Sequence, residues 1–339
     1  MNHILKAGVV FAATVSALCA AAGPTANSFS IVQRIAGPDG AWDLAAVDAA
    51  AHRLYVGRGY GVMAVDLASG KVTDKVVDGA GVHGVLPIPG SALVASANGR
   101  SDDAVLFDGV SGKVEATIAT GASPDVLLVE PKSGLLVIFN GKSKDATLYD
   151  LAARAVAGAV ALGGKPEAAA VDENGRVFVN LEDKAEIAIV DVAARKTTGV
   201  YSLPGCEGPT GLARDAALGV LISACANQVA KVIDEKTGKD LATLAICKKP
   251  DGVMLDARRR RAFIPCADGA LMVLALSAPQ DVKVVETVQT QTGAKTGALD
   301  PETGRVYLPA AKFAPPESEG ARPKPLPGTF EILVVSETK

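Results

Sequence analysis

Seven segments of similar sequence recur along this chain at a nearly constant spacing, and this repetition limits the folds that it can adopt. Each segment is a short apolar stretch that in most units ends in an acidic residue, and a tight turn and a second strand-like stretch follow. The starts of the segments are separated by 40 to 44 residues. The segments are 42–48 (WDLAAVD), 82–88 (VHGVLPI), 124–130 (PDVLLVE), 166–172 (PEAAAVD), 209–215 (PTGLARD), 250–256 (PDGVMLD) and 294–300 (AKTGALD).

The length of the repeat predicts an all-β fold, a seven-bladed β-propeller with four strands in each blade. A unit of this length forms one sheet, which buries both of its faces only by packing against neighbouring units. Helical periodicity is not sustained in the chain, and leucine-rich and ankyrin repeats are shorter. A parallel β-helix is the alternative, although its coils are usually shorter than this repeat.

The two ends of the chain provide a separate test of this prediction. The seventh unit has three strand-like segments, one fewer than a blade needs. We expect residues 28–35 (SFSIVQRI) to supply the missing outer strand and to close the ring. The propeller is then a single domain, residues 28–335. Its Pro-rich residues 311–329 are expected to form a mobile loop within blade 7, a lid or partner contact on the channel-mouth face.

Residues 1–22 are typical of a secretory signal peptide. Lys6 supplies a positive charge, an apolar stretch follows at 7–18, and small residues at 20–22 give an Ala-x-Ala cleavage site. A dozen or so apolar residues are too few to span a bilayer, which needs about 20. A lipid anchor on Cys19 is another alternative, but the bulky Leu18 precedes it. We expect a periplasmic or secreted protein with no transmembrane segment after cleavage.

The second strands of three units read RLYVG, RVFVN and RVYLP, with PEAAAVDENG and ALDPETG before the last two. In these elements the chain resembles the YVTN-repeat, YncE-like family of bacterial seven-bladed β-propellers, over roughly residues 28–335. The resemblance implies the fold. For function it implies only a range, because similar propellers serve as lactonases, lyases and enzyme subunits. Ile88 departs from the pattern, since other units carry an acid there.

Four cysteines remain after removal of the signal segment, and an even number in an exported chain suggests disulfides. Cys206 and Cys247 each lie three residues before the Pro that opens a unit, and Cys225 and Cys266 each lie 19 residues further on. We favour the bridges Cys206–Cys225 and Cys247–Cys266, with Cys225–Cys247 as the competing pairing. A Cys₄ zinc site is the further alternative, but Cys-x-x-Cys spacing is absent.

One side chain in each unit is expected near the mouth of the central channel, five residues before the end of the opening segment. The innermost strand of a blade lines the channel, and ligand sites usually lie at its loops. Four of these side chains are carboxylates, which suit a cation or a ligand with amine or hydroxyl groups. Acids at such positions also commonly cap turns. We name the seven the channel ring: Asp43, His83, Asp125, Glu167, Thr210, Asp251 and Lys295.

A second set of side chains is expected at the exits of the second strands. Arg58, Asn98 and Asn140 would face the same channel mouth and offer donors to an anionic or carbonyl ligand. If a divalent metal is bound, we expect Asp125, Glu167 and Asp251 to hold it.

Composition and motifs argue against some classes of function. The formal net charge is −3 and aromatic residues make up 4% of the chain, which argues against a general nucleic-acid binder. The sequence has no Gly-x-Ser-x-Gly, Walker or His-Glu-x-x-His motif. We expect a monomeric, non-enzymatic propeller that binds a small molecule or periplasmic protein at the channel mouth, without a cofactor. The alternative is a propeller enzyme of the lactonase or lyase type, using Ca²⁺ or another divalent cation held by channel carboxylates.

Overall fold

A computed structural model describes residues 1, 28–316 and 323–338 of the 339-residue chain. The expected signal segment lies outside the described residues except for Met1, as does part of the Pro-rich loop. The described residues form 28 β-strands and no helix. The strands are arranged in seven antiparallel sheets of four. The predicted seven-bladed β-propeller is therefore confirmed.

Blades 1 to 3 each take four strands that are consecutive in the chain. Blade 1 contains β2 (Trp42–Asp48), β3 (Arg53–Arg58), β4 (Gly61–Asp66) and β5 (Val72–Asp78). Blade 2 contains β6 (Val82–Pro87), β7 (Leu93–Asn98), β8 (Asp103–Asp108) and β9 (Val114–Ala119). Blade 3 contains β10 (Pro124–Glu130), β11 (Leu135–Asn140), β12 (Asp145–Asp150) and β13 (Ala155–Ala161).

Blades 4 to 6 follow the same order. Blade 4 contains β14 (Pro166–Val171), β15 (Arg176–Leu181), β16 (Glu186–Asp191) and β17 (Lys196–Ser202). Blade 5 contains β18 (Pro209–Asp215), β19 (Val220–Cys225), β20 (Val229–Asp234) and β21 (Asp240–Ala245). Blade 6 contains β22 (Met254–Asp256), β23 (Arg261–Cys266), β24 (Ala270–Ala278) and β25 (Asp281–Gln289).

Blade 7 is assembled from both ends of the chain. Its three C-terminal strands are β26 (Ala298–Leu299), β27 (Val306–Ala310) and β28 (Glu331–Thr338), and the outermost strand is β1 (Ser28–Ala36). The register runs antiparallel from Ser28 opposite Thr338 to Ala36 opposite Glu331, with one irregularity between Ile31 and Gln33. The predicted closure of the ring by an N-terminal strand is confirmed.

The innermost strands of the last two blades are shorter than their segments predict. In blade 6 only the end of segment 250–256 is a strand, and Pro250 forms an isolated bridge with Cys266. Here the backbones of two blades nearly touch, since a Cβ added to Gly211 would lie 2.5 Å from the Gly252 carbonyl carbon. In blade 7 the innermost strand has two residues.

The described residues form seven apolar core clusters, and each lies between two neighbouring blades. The middle strands of each blade are therefore covered on both faces and read as continuous apolar runs, as in the buried strand β19. The outer strands alternate between exposed and partly buried side chains, as in β17. The burial pattern thus follows the position of each strand from the channel outward.

Acidic residues at the strand ends hold the turns. The Asp48 carboxylate accepts the Ala51 N–H at 3.0 Å, and the Asp215 carboxylate accepts the Ala217 N–H at 2.9 Å. At the end of a third strand, Asp66 accepts the Ser69 N–H at 2.7 Å. These are the turns that Asp side chains commonly form.

Both favoured disulfides are present, and the competing pairing is not. The Cα atoms are 5.5 Å apart in Cys206–Cys225 and 5.8 Å apart in Cys247–Cys266. Each bridge joins the connection between two blades to the end of the next second strand, β19 or β23. Two disulfides are typical of a protein from an oxidising compartment. Among the described residues there is no helix long and apolar enough to cross a membrane.

The seam between blades 6 and 7 depends on β1. The ring of Phe29 packs edge-on against Phe263 at 5.2 Å between centroids, and the Phe29 N–H donates to the Glu286 carboxylate at 2.9 Å.

We predict that Phe29→Ala lowers the free energy of unfolding by about 3 kcal/mol, as for other large-to-small core changes. Val32→Ala in the same strand is the control, because Val32 is 47% exposed. Chemical denaturation measures both, and equal stability of the two variants would contradict the closure.

We also predict that peptide mapping without reduction recovers Cys206 linked to Cys225 and Cys247 linked to Cys266. Each bridge closes a loop across a separation of 19 residues, so the removal of either is expected to cost about 3 kcal/mol of stability. Thermal unfolding of Cys206→Ala/Cys225→Ala and of Cys247→Ala/Cys266→Ala measures this. Four alkylatable thiols in the unreduced protein would refute the pairing.

Candidate functional site

A cavity of about 570 Å³ lies on the propeller axis, and all seven residues of the channel ring line it. One residue comes from each blade, so the repeat brings together side chains that are far apart in sequence. A cavity of this size matches the usual range for small-molecule sites, about 300–1,000 Å³. The structure thus places the ring in one cavity, and its role in ligand binding stays a prediction.

Irregularities in the strand pairing orient the side chains of the channel ring. In blades 1 to 5 the first residue of the innermost strand pairs with the second strand, and the register then shifts. In blade 3 the pairing resumes at Leu127, so Asp125 lies within the gap. Asp43, His83, Glu167 and Thr210 lie in the equivalent gaps. Such irregularities re-aim side chains and are common beside functional sites.

Glycines allow the ring strands to approach closely. A Cβ added to Gly84 would lie 2.3 Å from the carbonyl oxygen of Asp125 in the next blade. A Cβ added to Gly99 would lie 2.5 Å from Cδ2 of His83. Both positions therefore need glycine, one for the approach of two strands and one for the imidazole.

Two lysines in the cavity are held by carboxylates. Lys295 forms an ion pair with Asp251, and Lys165 forms ion pairs with Glu182 and, at 2.7 Å, with Glu167. Burial by itself lowers the pKa of Lys165, but the hydrogen bonds that Lys165 donates to Glu167 and Glu182, together with the negative charges of those carboxylates, outweigh it and raise that pKa. Both ammonium groups therefore stay charged and already have anionic partners.

His83 and Asp43 form a third pair. Nδ1 of His83 lies 2.6 Å from Oδ2 of Asp43. The hydrogen bond to Asp43 raises the pKa of His83, and the charge of Asp125 adds to the effect. The imidazole therefore accepts a proton more readily than an exposed histidine does.

Asp43, Glu167 and Asp251 are each paired with a histidine or a lysine. Asp125 is the fourth acid of the channel ring. Its carboxylate makes no hydrogen bond or ion pair with any residue that the structure describes. Burial, and next the charge of Asp43, raise its pKa to about 6. Burial, and next the charge of Asp125, raise the pKa of Glu167 to about 8. These shifts mark a cavity in which negative charge is in excess and poorly solvated.

Three side chains lie close enough to share a metal ion. One ligand atom from each of Asp43, His83 and Asp125 falls within 4.8 Å of the others. This set differs from the one expected from the sequence, because Glu167 and Asp251 are paired with lysines. Imidazole with two carboxylates is a donor set that suits Zn²⁺ or Mn²⁺.

Part of the cavity wall outside the channel ring is apolar. Leu44 and Val126 follow ring residues directly, and Leu212 and Val253 lie two positions after ring residues. Met254 continues this lining. A ligand in the cavity can therefore meet both charged groups and apolar side chains.

The second set of predicted residues lies elsewhere. Arg58 is fully buried, and its guanidinium donates to the carbonyl oxygens of Ala41 and Pro38 at 2.9 and 2.7 Å. Asn98 and Asn140 are also buried, and each donates to the aspartate that opens the next strand, at 2.6 and 2.7 Å. None of the three is among the described residues that line the cavity. Their contacts hold loops in place.

Lys165 is a cavity residue that sequence reasoning missed. It lies two residues before Glu167, where blades 1 to 3 carry Ala41, Gly81 and Ser123. The sequence gives little signal for it, because blade 6 carries Lys249 at the equivalent position and Lys249 is not among the described residues that line the cavity. Its partner Glu182 lies at the exit of β15, the blade 4 equivalent of Asn140.

No family model matches the sequence, and no curated protein matches it significantly. A chain of Kuenenia stuttgartiensis hydrazine synthase has a similar structure, with a TM-score of 0.70, 15% identity, and coverage of 81% of this chain and 92% of that one. A chain of the mitotic checkpoint complex gives a TM-score of 0.71 at 14% identity, with coverage of 89% and 95%. Similarity at such identities shows the β-propeller fold alone.

The raised pKa of Asp125 makes a testable prediction about stability. An exposed aspartate has a pKa near 4, so between about pH 4 and pH 6 the folded state binds more protons than the unfolded state does. Stability therefore falls as the pH rises through this range. We expect Asp125→Asn to remove this loss, so that its advantage in melting temperature over wild type grows from about pH 4 to pH 7.

The matched control for that measurement is Asp251→Asn, which leaves the ammonium of Lys295 without its partner. This variant is expected to be less stable than wild type at neutral pH. A difference between Asp125→Asn and wild type that is the same at every pH would contradict the raised pKa.

Proposed function

We propose that this chain is an exported periplasmic β-propeller that binds a small ligand with a positively charged amine at the mouth of its channel, without catalysis of its own. The observation that carries the proposal is the Asp125 carboxylate, which has no hydrogen-bond or ion-pair partner among the described residues, in a cavity where Lys165, Lys295 and His83 already have anionic partners. An ammonium group beside Asp125 would supply the missing positive charge.

The rest of the cavity supports the same class of ligand. Glu167, with its pKa raised to about 8, would ionise more readily once a cation is bound. The apolar wall of Leu44, Val126 and Leu212 suits the carbon chain of an amine. The volume favours a small molecule, and a protein that inserts a lysine into the cavity is the related possibility.

The proposed compartment has two supports. Residues 1–22 have the pattern of a cleaved signal peptide. Two disulfides in blades 5 and 6 are typical of an oxidising compartment such as the periplasm.

Isothermal titration calorimetry with 1,4-diaminobutane and hexylamine tests the proposal. We expect Asp125→Asn to lose more than tenfold in affinity, since removing one partner of a buried charge pair costs about 2 kcal/mol or more. Asp78→Asn is the control, because it removes the same charge at an exposed position outside the channel. Affinity is expected to rise from about pH 5 to pH 8, as the carboxyl groups of Asp125 and Glu167 lose protons. Equal affinities in the two variants would exclude the channel as the amine site.

A second candidate function is favoured by the cluster of Asp43, His83 and Asp125. If the chain is a metal-dependent enzyme of the lactonase or lyase type, Ca²⁺, Mn²⁺ or Zn²⁺ should raise the melting temperature of the chelator-treated protein. His83→Ala and Asp43→Asn should then abolish that response, and Asp251→Asn should preserve it. An amine site would instead be insensitive to chelators.

A further inference from the structure

Two loops in neighbouring blades are built in the same way. In blades 5 and 6 a disulfide joins the connection from the preceding blade to the last residue of the second strand, β19 or β23. A side-chain oxygen two residues later anchors each loop. In blade 5, Oδ1 of Asn227 accepts the Glu207 N–H at 3.1 Å, and in blade 6, Oδ2 of Asp268 accepts the Lys248 N–H at 3.0 Å.

The two anchors differ in one chemical property, the negative charge of Asp268. Asn227 shows that a neutral amide is enough to hold this loop, and its Nδ2 also donates to the Gly205 carbonyl oxygen at 3.0 Å. Asp268 uses one carboxylate oxygen for the loop, and its other oxygen has no hydrogen-bond partner among the described residues. The loop geometry therefore does not explain the charge at this position.

The charge lies beside two sulfur atoms. Sγ of Cys247, Sγ of Cys266 and a carboxylate oxygen of Asp268 all lie within 4.8 Å of one another. Asp268 is exposed and Cys247 is partly exposed, whereas Cys266 is fully buried, so a cation approaches from the side of Asp268 and Cys247. The neighbouring Lys248 and Lys249 are exposed, and solvent and salt screen their charges. In a tetrahedral zinc site with bonds of about 2.3 Å to sulfur, two sulfurs are about 3.8 Å apart, so the two sulfur atoms must separate after the bridge opens.

We propose that reduction of the Cys247–Cys266 disulfide converts this loop into a site for a zinc-like divalent cation, held by two thiolates and the Asp268 carboxylate. A dithiol reductant gives two electrons and two protons to the bridge, and it is itself oxidised to a disulfide. Binding of the cation then releases the two thiol protons to solvent, and water completes the coordination. In the oxidised protein both sulfurs are bonded to each other, and the site is closed.

Cobalt(II) is the probe, because thiolate-to-cobalt charge transfer absorbs in the near ultraviolet and carboxylate or imidazole ligands give no such band. The charge-transfer absorbance therefore does not report metal bound at Asp43, His83 and Asp125, and it is independent of the proposed amine site. The protein is Cys206→Ala/Cys225→Ala, reduced with a phosphine and titrated with Co²⁺. We expect the band at one equivalent in the reduced form and none in the oxidised form. Asp268→Asn should weaken binding at least about tenfold, since even changes outside the ligand set cost about that much.

The equivalent loop of blade 5 is the matched control. Reduced Cys247→Ala/Cys266→Ala retains Cys206, Cys225 and Asn227, and it should bind Co²⁺ as weakly as the Asp268→Asn variant. Adding Asn227→Asp should increase its affinity. If a double variant fails to fold, fully reduced wild type is compared with its Asp268→Asn and Asn227→Asp variants. Unchanged affinity in Asp268→Asn, or the same band in the oxidised protein, would overturn the proposal.

Discussion

The pairing of β1 with β28 is the interaction on which the rest of the structure depends. Seven apolar clusters of described residues lie between the seven blades, so every blade contributes to two clusters. No blade is therefore stable as an isolated sheet. β1 completes the last blade and contacts blade 6 through Phe29, so the seam is covered by residues from both ends of the chain. A closed ring fixes the distance of each innermost strand from the axis. The geometry of the channel cavity follows from that closure.

The charged groups of the channel cavity destabilise the folded protein electrostatically. Acids that form turns have partners that favour their charged form, as Asp66 and Asp108 do. Asp125 and Glu167 have raised pKa values instead, because burial and neighbouring carboxylates oppose ionisation. Stability alone gives no reason to gather such groups, and strained sites of this kind cluster where proteins bind or react.

The architecture could be predicted from the sequence, because seven segments of similar sequence recur at intervals of 40 to 44 residues. The membership of the channel ring could also be predicted, because equivalent positions in equivalent blades must face the same axis. The short β22 could not be, since the contact between Gly211 and Gly252 depends on how two blades meet. The burial of Arg58 was missed for a related reason. Phe330 of the last blade stacks on its guanidinium at 3.9 Å, and no local pattern reveals that contact.

The gaps in the strand ladders have a consequence for how such a cavity can change. Because Asp125 and its counterparts lie where the ladder is interrupted, the pairing of their strands does not depend on which side chain they carry. Carboxylate, imidazole, hydroxyl and ammonium groups already occupy equivalent positions in this one chain. The strand pairing can therefore be kept while single ring residues are exchanged, with a cost in stability where a ring residue holds a partner, as Asp251 holds Lys295. This makes the axis of the protein a starting point for engineered receptors.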